Sequence, residues 1–152
     1  MDIVSQLQRQ YVDFMSYVYR EGLLNDQFLM LQRLQDERNP QFVNRVATLF
    51  FEDSERHLQN LTVALDQRPV DYTKVDAYVH QFKGSSSSVG AQRLSDICVL
   101  FKTCYEARNL EGCMRSLQQL KDEYNLVKNK LHTLFRLEQQ IVAAGGVIPI
   151  LG

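Results

Sequence analysis

The sequence VDAYVHQFKGSSSSVGA, residues 75–91, carries apolar side chains at the spacing of an α-helix. They recur three, four and seven residues apart, at Val75, Tyr78, Val79, Phe82 and Val89. This spacing places them along one side of a helix and predicts that this side is buried against other helices. His80 follows Val79 and is turned from it by about 100° around the helix axis. We therefore expect its imidazole at or beyond the edge of the buried stripe.

Lys83 and Gly84 lie one helical turn after His80 and are its neighbours on the helix surface. A neutral imidazole nitrogen is a competent nucleophile, and an ammonium group can pair with a phosphoryl group as a point charge. Glycine inside a helix costs about 1 kcal/mol relative to alanine, and close approach by a ligand or by the backbone of another protein is one reason that would compensate for this cost at Gly84. The three residues suit a phosphoryl acceptor. Taken alone, they also fit a surface histidine, a solvated lysine and a helix end.

The rest of the chain has helical periodicity too, and β-branched residues nowhere alternate for long enough to predict a strand. Proline and glycine separate the helices, and Asn39-Pro40 has the pattern of a helix cap followed by proline at the first helical position. The predicted helices are about Ile3–Tyr19, a short helix capped by Asn25 or Asp26 and ending at Leu34, about Pro40–Gln67, the His80 helix capped by Asp71, a helix from the Val89-Gly90 turn to about Arg108, and about Glu111–Ile141.

The predicted fold is all-α. Four helices joined by short loops favour an antiparallel four-helix bundle, and the two additional N-terminal helices cover one end or side of it. The 152 residues form one domain by size. We divide it into N-terminal helices over about 1–38, bundle helices over about 40–141, and a tail over 142–152.

Composition excludes several classes of function. Apolar residues make up 45% of the chain and charged residues 23%, as in a globular protein, and the net charge of −1 gives no electrostatic basis for binding nucleic acid. The apolar stretch Ile141–Leu151 is too short to cross a bilayer, so we expect no membrane span and either a loose or a packed tail. Cys98, Cys104 and Cys113 lack the spacing of a zinc site, and neither His57 nor His132 has ligand partners nearby, so we expect no metal site.

The run from His80 to Ala91 resembles the signature of histidine-containing phosphotransfer proteins, and its detail is similar to the plant cytokinin-type branch. The matching positions are His80-Gln81-x-Lys83-Gly84-Ser85-Ser86-x-Ser88-x-Gly90-Ala91, with Cys98 at a place where relatives often carry cysteine. The similarity covers most of the chain, including its N-terminal stretch and its long final helix.

The resemblance implies a phosphorelay carrier. Such a protein accepts a phosphoryl group from the receiver-domain aspartate of a hybrid sensor histidine kinase and passes it to the aspartate of a response regulator. In that role His80 would be phosphorylated, Lys83 would be the cation beside the phosphate, and Gly84 would give the receiver room to dock. No cofactor is implied for this chain, and Mg²⁺ is expected in the receiver partner. A P-loop is absent from the sequence, so we expect no kinase activity of its own.

Further candidate binding residues follow from the same resemblance. They are Gln81 and Ser87 in the motif, Lys102 on the next helix, and the apolar residues Leu23, Leu24, Phe28 and Leu29. Lys102 falls near the register where some relatives carry a glutamine that bonds the histidine, which leaves its role open. Each of the apolar residues could equally fill the core.

The alternative function is a non-catalytic helical adaptor that binds receiver domains and sequesters them. The resemblance implies that relatives without the histidine are pseudo-carriers that inhibit the relay, whereas this chain has His80 and is expected to be active. We expect a monomer in the cytoplasm and nucleus. The sequence identifies neither the individual kinases and regulators nor the input signal, whether cytokinin or another.

Overall fold

Within residues 2–151, which the computed structural model of the protein describes, the chain forms six α-helices and no β-strand. The helices are α1 (Ile3–Arg20), α2 (Asp26–Leu34), α3 (Phe42–Asp66), α4 (Tyr72–Ser88), α5 (Gln92–Glu106) and α6 (Leu110–Ala143). Their bounds lie within a few residues of the predicted ones.

Helices α3 to α6 form the bundle. Helix α4 packs between α3 and α5, and α6 closes the ring by packing against both α5 and α3. Leu61, Phe82, Phe101 and Leu120, one from each helix, are completely buried at its centre. The prediction of an all-α antiparallel four-helix bundle with two added N-terminal helices is confirmed.

The two N-terminal helices cover different sides of the bundle. Helix α1 runs along the second half of α6, where the Tyr11 hydroxyl donates to Glu138 Oε2 at 3.3 Å. Helix α2 contacts α3 and α4. The tail returns to α1, because Gln8 Nε2 donates to the carbonyl of Val147 at 2.8 Å. Of the two alternatives for the tail, the packed one is therefore correct.

Side-chain caps begin most of these helices, as the sequence predicts. Asn25 Oδ1 accepts from the backbone N–H of Gln27, and Asp71 Oδ1 accepts from that of Thr73. The prediction for Asn39-Pro40 is wrong, since α3 begins later, at Phe42. There the backbone N–H of Val43 donates to Oε1 of Gln35, the C-cap residue directly after α2.

Three apolar residues whose helical spacing fits the buried stripe of their helix lie instead at the surface. Ile3, Leu49 and Met114 are 58%, 60% and 53% exposed. Each has a helical spacing that fits the stripe, but no neighbouring helix covers its position. None of the helices described between residues 2 and 151 combines the length and the apolar character needed to cross a membrane.

Gly90 lies in the turn after α4 and is in close contact with the start of α2. Its φ of +77° is a left-handed conformation, and a Cβ there would lie 2.5 Å from Asn25 Oδ1 and 2.8 Å from the Phe28 nitrogen. The Asn25 N–H donates to the Gly90 carbonyl at 2.9 Å. The start of α2 therefore packs directly on the backbone of the turn after the His80 helix.

Replacing Gly90 by alanine is expected to destabilise the protein by two effects, conformational strain and a steric clash. Gly22→Ala is the matched control, since Gly22 has a φ of +72° and open space where a Cβ would be. The control should lose about 1 to 2 kcal/mol from strain, and Gly90→Ala about 1 to 3 kcal/mol more from the clash. Urea unfolding measures both, and equal losses would contradict the close packing of α2 on the turn.

Candidate functional site

Side chains of α4 and α5 pair in an antiparallel register along their whole length. Near the start of α4, the guanidinium of Arg108, just beyond α5, lies 4.8 Å from the centre of the Tyr72 ring. One turn further along α4, the Tyr105 hydroxyl donates to Asp76 Oδ1 at 2.5 Å. Each step forward along α4 is thus matched by a step back along α5.

The same register continues to the end of α4. The hydroxyls of Ser87 and Ser95 are 3.0 Å apart, so Ser87, a predicted binding residue, joins the two helices two turns beyond His80. Between this pair and the Asp76 pair, the register sets Lys102 of α5 opposite His80 of α4. The side chains of both residues line one depression.

This depression, which we call the His80 depression, has a volume of about 200 Å³. His80 is exposed on its α4 side. It is lined by Asp76, Val79, His80 and Lys83 from α4 and by Cys98, Val99, Lys102 and Tyr105 from α5. The predicted site residues His80, Lys83 and Lys102 are therefore brought together, although they come from two helices.

The two lysines make the depression cationic. Both are exposed, and neither Lys83 nor Lys102 takes part in the ion pairs found among residues 2–151. An ammonium group without a carboxylate partner can pair with an incoming anion. A phosphoryl group on the His80 ring would lie beside one cation from each helix.

Buried groups form the floor of the depression. Val79 and Cys98 are 3% and 1% exposed, so both belong to the core. Burial raises the pKa of the Cys98 thiol to about 12, while the charge of Lys83 acts in the opposite direction. The thiol is therefore protonated near neutral pH and does not compete with the imidazole as a nucleophile.

Gly84 is exposed and has no neighbour that would explain the absence of a side chain. A Cβ built at this position meets no heavy atom within 4 Å, and the backbone is helical. Neither internal packing nor backbone conformation therefore requires glycine. The absence of a side chain leaves the surface one turn beyond His80 open to an approaching molecule.

The four serines continue the helix rather than forming a linker. Ser86 is completely buried, Ser85 is half-buried, and Ser88 is the last helical residue. The Ser88 hydroxyl donates to the Ser85 carbonyl at 2.7 Å, so it satisfies one of the free carbonyls at the helix end.

The docking role proposed for three of the apolar residues is wrong, and the alternative role in the core is correct. Leu23, Leu24 and Phe28 are 2%, 3% and 1% exposed, so their side chains fill the core between the N-terminal helices and the bundle. A buried side chain cannot contact a partner unless the protein rearranges. Leu29 is half-buried, and Gln81, next to His80, is exposed.

The other two histidines have different surroundings. His57 is buried at 6% exposure, and burial lowers its pKa. His132 is exposed, but its ring lies 5.2 Å from that of Phe51. His80 thus differs from both, because it is exposed, it shares a depression with two lysines, and a helical glycine lies one turn away.

Asp76 and Tyr105 belong to the site although the sequence analysis did not name them. The signal for Asp76 was available, since it precedes His80 by four residues and four-residue neighbours share a helix face. No local signal identifies Tyr105, because its contact with Asp76 joins two helices whose register is set by the packing of the whole bundle.

Known proteins share both the sequence and the fold of this chain. Residues 45–130 match the model of the Hpt domain. The chain is 58% identical over 149 residues to Histidine-containing phosphotransfer protein 1 of Arabidopsis thaliana, and the match covers 98% of this chain and 96% of that protein. It is 51% identical over 148 residues to Histidine-containing phosphotransfer protein 2 of Arabidopsis thaliana, and this match covers 97% of this chain and 95% of that protein. The crystal structure of histidine-containing phosphotransfer protein MtHPt2 from Medicago truncatula superposes with a TM-score of 0.88 at 50% identity, covering 93% of this chain and 96% of that one.

Replacing Gly84 by alanine is expected to stabilise the isolated protein. The free energy of unfolding should rise by about 0.5 to 1 kcal/mol, because alanine favours the helix and meets no obstacle. Gly112→Ala is the control, since its Cβ would lie 2.8 Å from Cys104 Sγ and should destabilise the protein. Urea unfolding measures both changes. Destabilisation by Gly84→Ala would show that glycine is needed for the fold itself.

Proposed function

Because this chain belongs to the family of histidine-containing phosphotransfer proteins, we propose that His80 is the residue that carries the phosphoryl group. The chain is a phosphocarrier of two-component phosphorelays that involve receiver domains. The observation that supports His80 most strongly is its exposure in a depression that Lys83 and Lys102 also line, one turn from a glycine that the fold itself does not require.

The transfer would occur between an oxygen of the receiver and a nitrogen of His80. A lone pair on one ring nitrogen attacks the phosphorus of the aspartyl phosphate, and a P–N bond forms. The P–O bond breaks at the same time, and its electron pair returns to the receiver carboxylate. The reverse exchange delivers the phosphoryl group to the next receiver.

The two lysines would stabilise charge during this exchange. The phosphoryl oxygens remain negative throughout, and an ammonium already in place beside them lowers the energy of the transition state without a rearrangement. Lys83 is on the same helix as His80, whereas Lys102 reaches the same depression from α5. We propose the same role for both, which gives Lys102 a function that the sequence left open.

A carrier of this kind needs its partner to complete the chemistry. We propose that this chain has no kinase activity and no cofactor of its own, and that the Mg²⁺ of the reaction belongs to the receiver. Among residues 2–151, no three histidine, cysteine or acidic side chains are grouped so that they could hold a metal ion. The exposed depression offers an imidazole and two cations, and the aspartate would come from the receiver.

The proposed partners are the receiver domains of hybrid sensor histidine kinases and of response regulators. The plant relatives support a place in a cytokinin-type phosphorelay. We propose a monomer, because a carrier must expose one site to successive partners, and we place it in both cytoplasm and nucleus.

The direct test is phosphoryl transfer from a radiolabelled receiver domain of a hybrid sensor kinase. The wild-type protein should gain an acid-labile, alkali-stable label, and His80→Gln should gain none while keeping its circular dichroism spectrum. His132→Gln is the matched control, because it removes an exposed histidine outside the His80 depression, and it should be labelled normally. If both wild type and His80→Gln bind the receiver but neither is labelled, the adaptor function is correct instead.

Removing either lysine should slow the transfer without abolishing it. Lys83→Ala and Lys102→Ala are each expected to lower the rate by about 3- to 10-fold, because an exposed charge is partly screened by solvent and salt. Lys74→Ala is the control, since Lys74 is an exposed lysine near the start of the same helix as His80. Rapid-quench kinetics at low and high salt measure the effect. Equal rates for Lys74→Ala and Lys102→Ala would contradict a role for Lys102.

A further inference from the structure

Asp76 is the one carboxylate among the residues that line the His80 depression. It lies four residues before His80 on α4, so the two side chains are neighbours on the same helix face. Helical side chains lean toward the N-terminus of their helix, which directs the His80 ring toward the turn that contains Asp76. Asp76 is therefore the nearest acidic group along α4 to the proposed phosphoryl acceptor.

Tyr105 holds this carboxylate in place from the opposite helix. Its hydroxyl donates to Asp76 Oδ1 at 2.5 Å, and the tyrosine itself is only 5% exposed. Burial, followed by the hydrogen bond and the charge of Asp76, raises the pKa of Tyr105 well above its usual range. The hydroxyl therefore stays protonated and remains a donor at any physiological pH.

The hydrogen bond from Tyr105 uses only one of the two carboxylate oxygens. Each carboxylate oxygen can accept hydrogen bonds, so Oδ2 is available to a second donor. The charged or titratable groups that line the depression with it are His80 and Lys83 from α4, and Lys102, Tyr105 and the protonated thiol of Cys98 from α5. His80 makes no side-chain hydrogen bond among residues 2–151 in the structure, so a ring N–H can turn to Oδ2 on the adjacent turn.

We propose that Asp76 is a positioning residue for phosphoryl transfer, with Oδ2 accepting the ring N–H of His80 while Tyr105 fixes Oδ1. This inference rests on the proposed function of His80. With one ring nitrogen bound to the carboxylate through its proton, the other nitrogen keeps its lone pair and is directed outward to the receiver. The hydrogen bond thus selects both the tautomer and the orientation of the ring.

The carboxylate also balances the charge that develops on the ring. When the neutral imidazole attacks, the P–N bond takes the lone pair of one nitrogen, and the other nitrogen keeps its proton. The ring then carries a positive charge until the phosphoryl group leaves. A carboxylate that accepts the remaining N–H stabilises that charge in the way that an aspartate stabilises a catalytic imidazolium. No additional reactant is needed, because the released electron pair returns to the receiver aspartate.

The test compares Asp76→Asn with wild type in two measurements. Asparagine can still accept the Tyr105 hydrogen bond with its single oxygen, but its NH₂ group cannot accept the ring N–H. The transfer rate should fall by about 10- to 100-fold, as when an acceptor that orients a histidine is lost. Long-range ¹H–¹⁵N NMR of the free protein should show one dominant His80 tautomer in wild type and a mixture in the variant.

Two further variants separate the causes. Asp66→Asn, at the exposed end of α3, is the control for loss of a surface carboxylate and should change neither measurement. Tyr105→Phe keeps the packing but frees Asp76, and it should give a smaller loss of rate with a partial change in tautomer. Thermal unfolding of each variant confirms that it is folded at the assay temperature.

Several outcomes would overturn the inference. One is an unchanged transfer rate in Asp76→Asn. Another is a reduced rate in Asp76→Asn with the same His80 tautomer populations as in wild type, because that result would make Asp76 a docking or structural residue. Failure of the proposed function looks different, because then neither wild type nor His80→Gln is labelled. The tautomer measurement on the free protein tests the proposed hydrogen bond between His80 and Asp76 in that case as well.

Discussion

The antiparallel packing of α4 against α5 is the contact on which the rest of the site depends. It buries Phe82 and Phe101 completely and brings Asp76 within hydrogen-bonding distance of Tyr105. Because the two helices are locked in this register, a cation from each lies beside His80. A shift of one turn, about 5.4 Å along the axis, would remove Lys102 from the depression and separate Tyr105 from Asp76.

A carrier must also keep its reactive group accessible to large partners. This constraint explains the exposure of His80 and the absence of a side chain at Gly84. The His80 depression has a volume of about 200 Å³, and the proposed acceptor is exposed on the surface of a helix. Gly84 extends that open surface by one turn, at a cost in helix stability that no internal contact offsets. Rigidity comes instead from the bundle behind it, and from α2, which is fastened to the end of α4 through Gly90.

Sequence periodicity predicted the helices and the exposure of His80 because both follow from which positions share a helix face. It did not predict the fate of Leu23, Leu24 and Phe28, since a buried apolar residue and a docking residue have the same spacing. Only the packed bundle distinguishes them. The contact between Asp76 and Tyr105 was missed for a related reason, because residues 29 positions apart meet through the register of two helices. Likewise, the start of α3 depends on Gln35, a cap from the end of the preceding helix.

The central claim is that one imidazole both accepts and returns a phosphoryl group, and a two-step relay tests it most directly. The protein would be charged by a labelled sensor-kinase receiver, separated from it, and then mixed with a response-regulator receiver whose acceptor aspartate is intact. Mass spectrometry should locate the phosphate on His80 after the first step and on the regulator aspartate after the second. A phosphate on any other residue, or one that stays on the protein when the regulator is added, would contradict it.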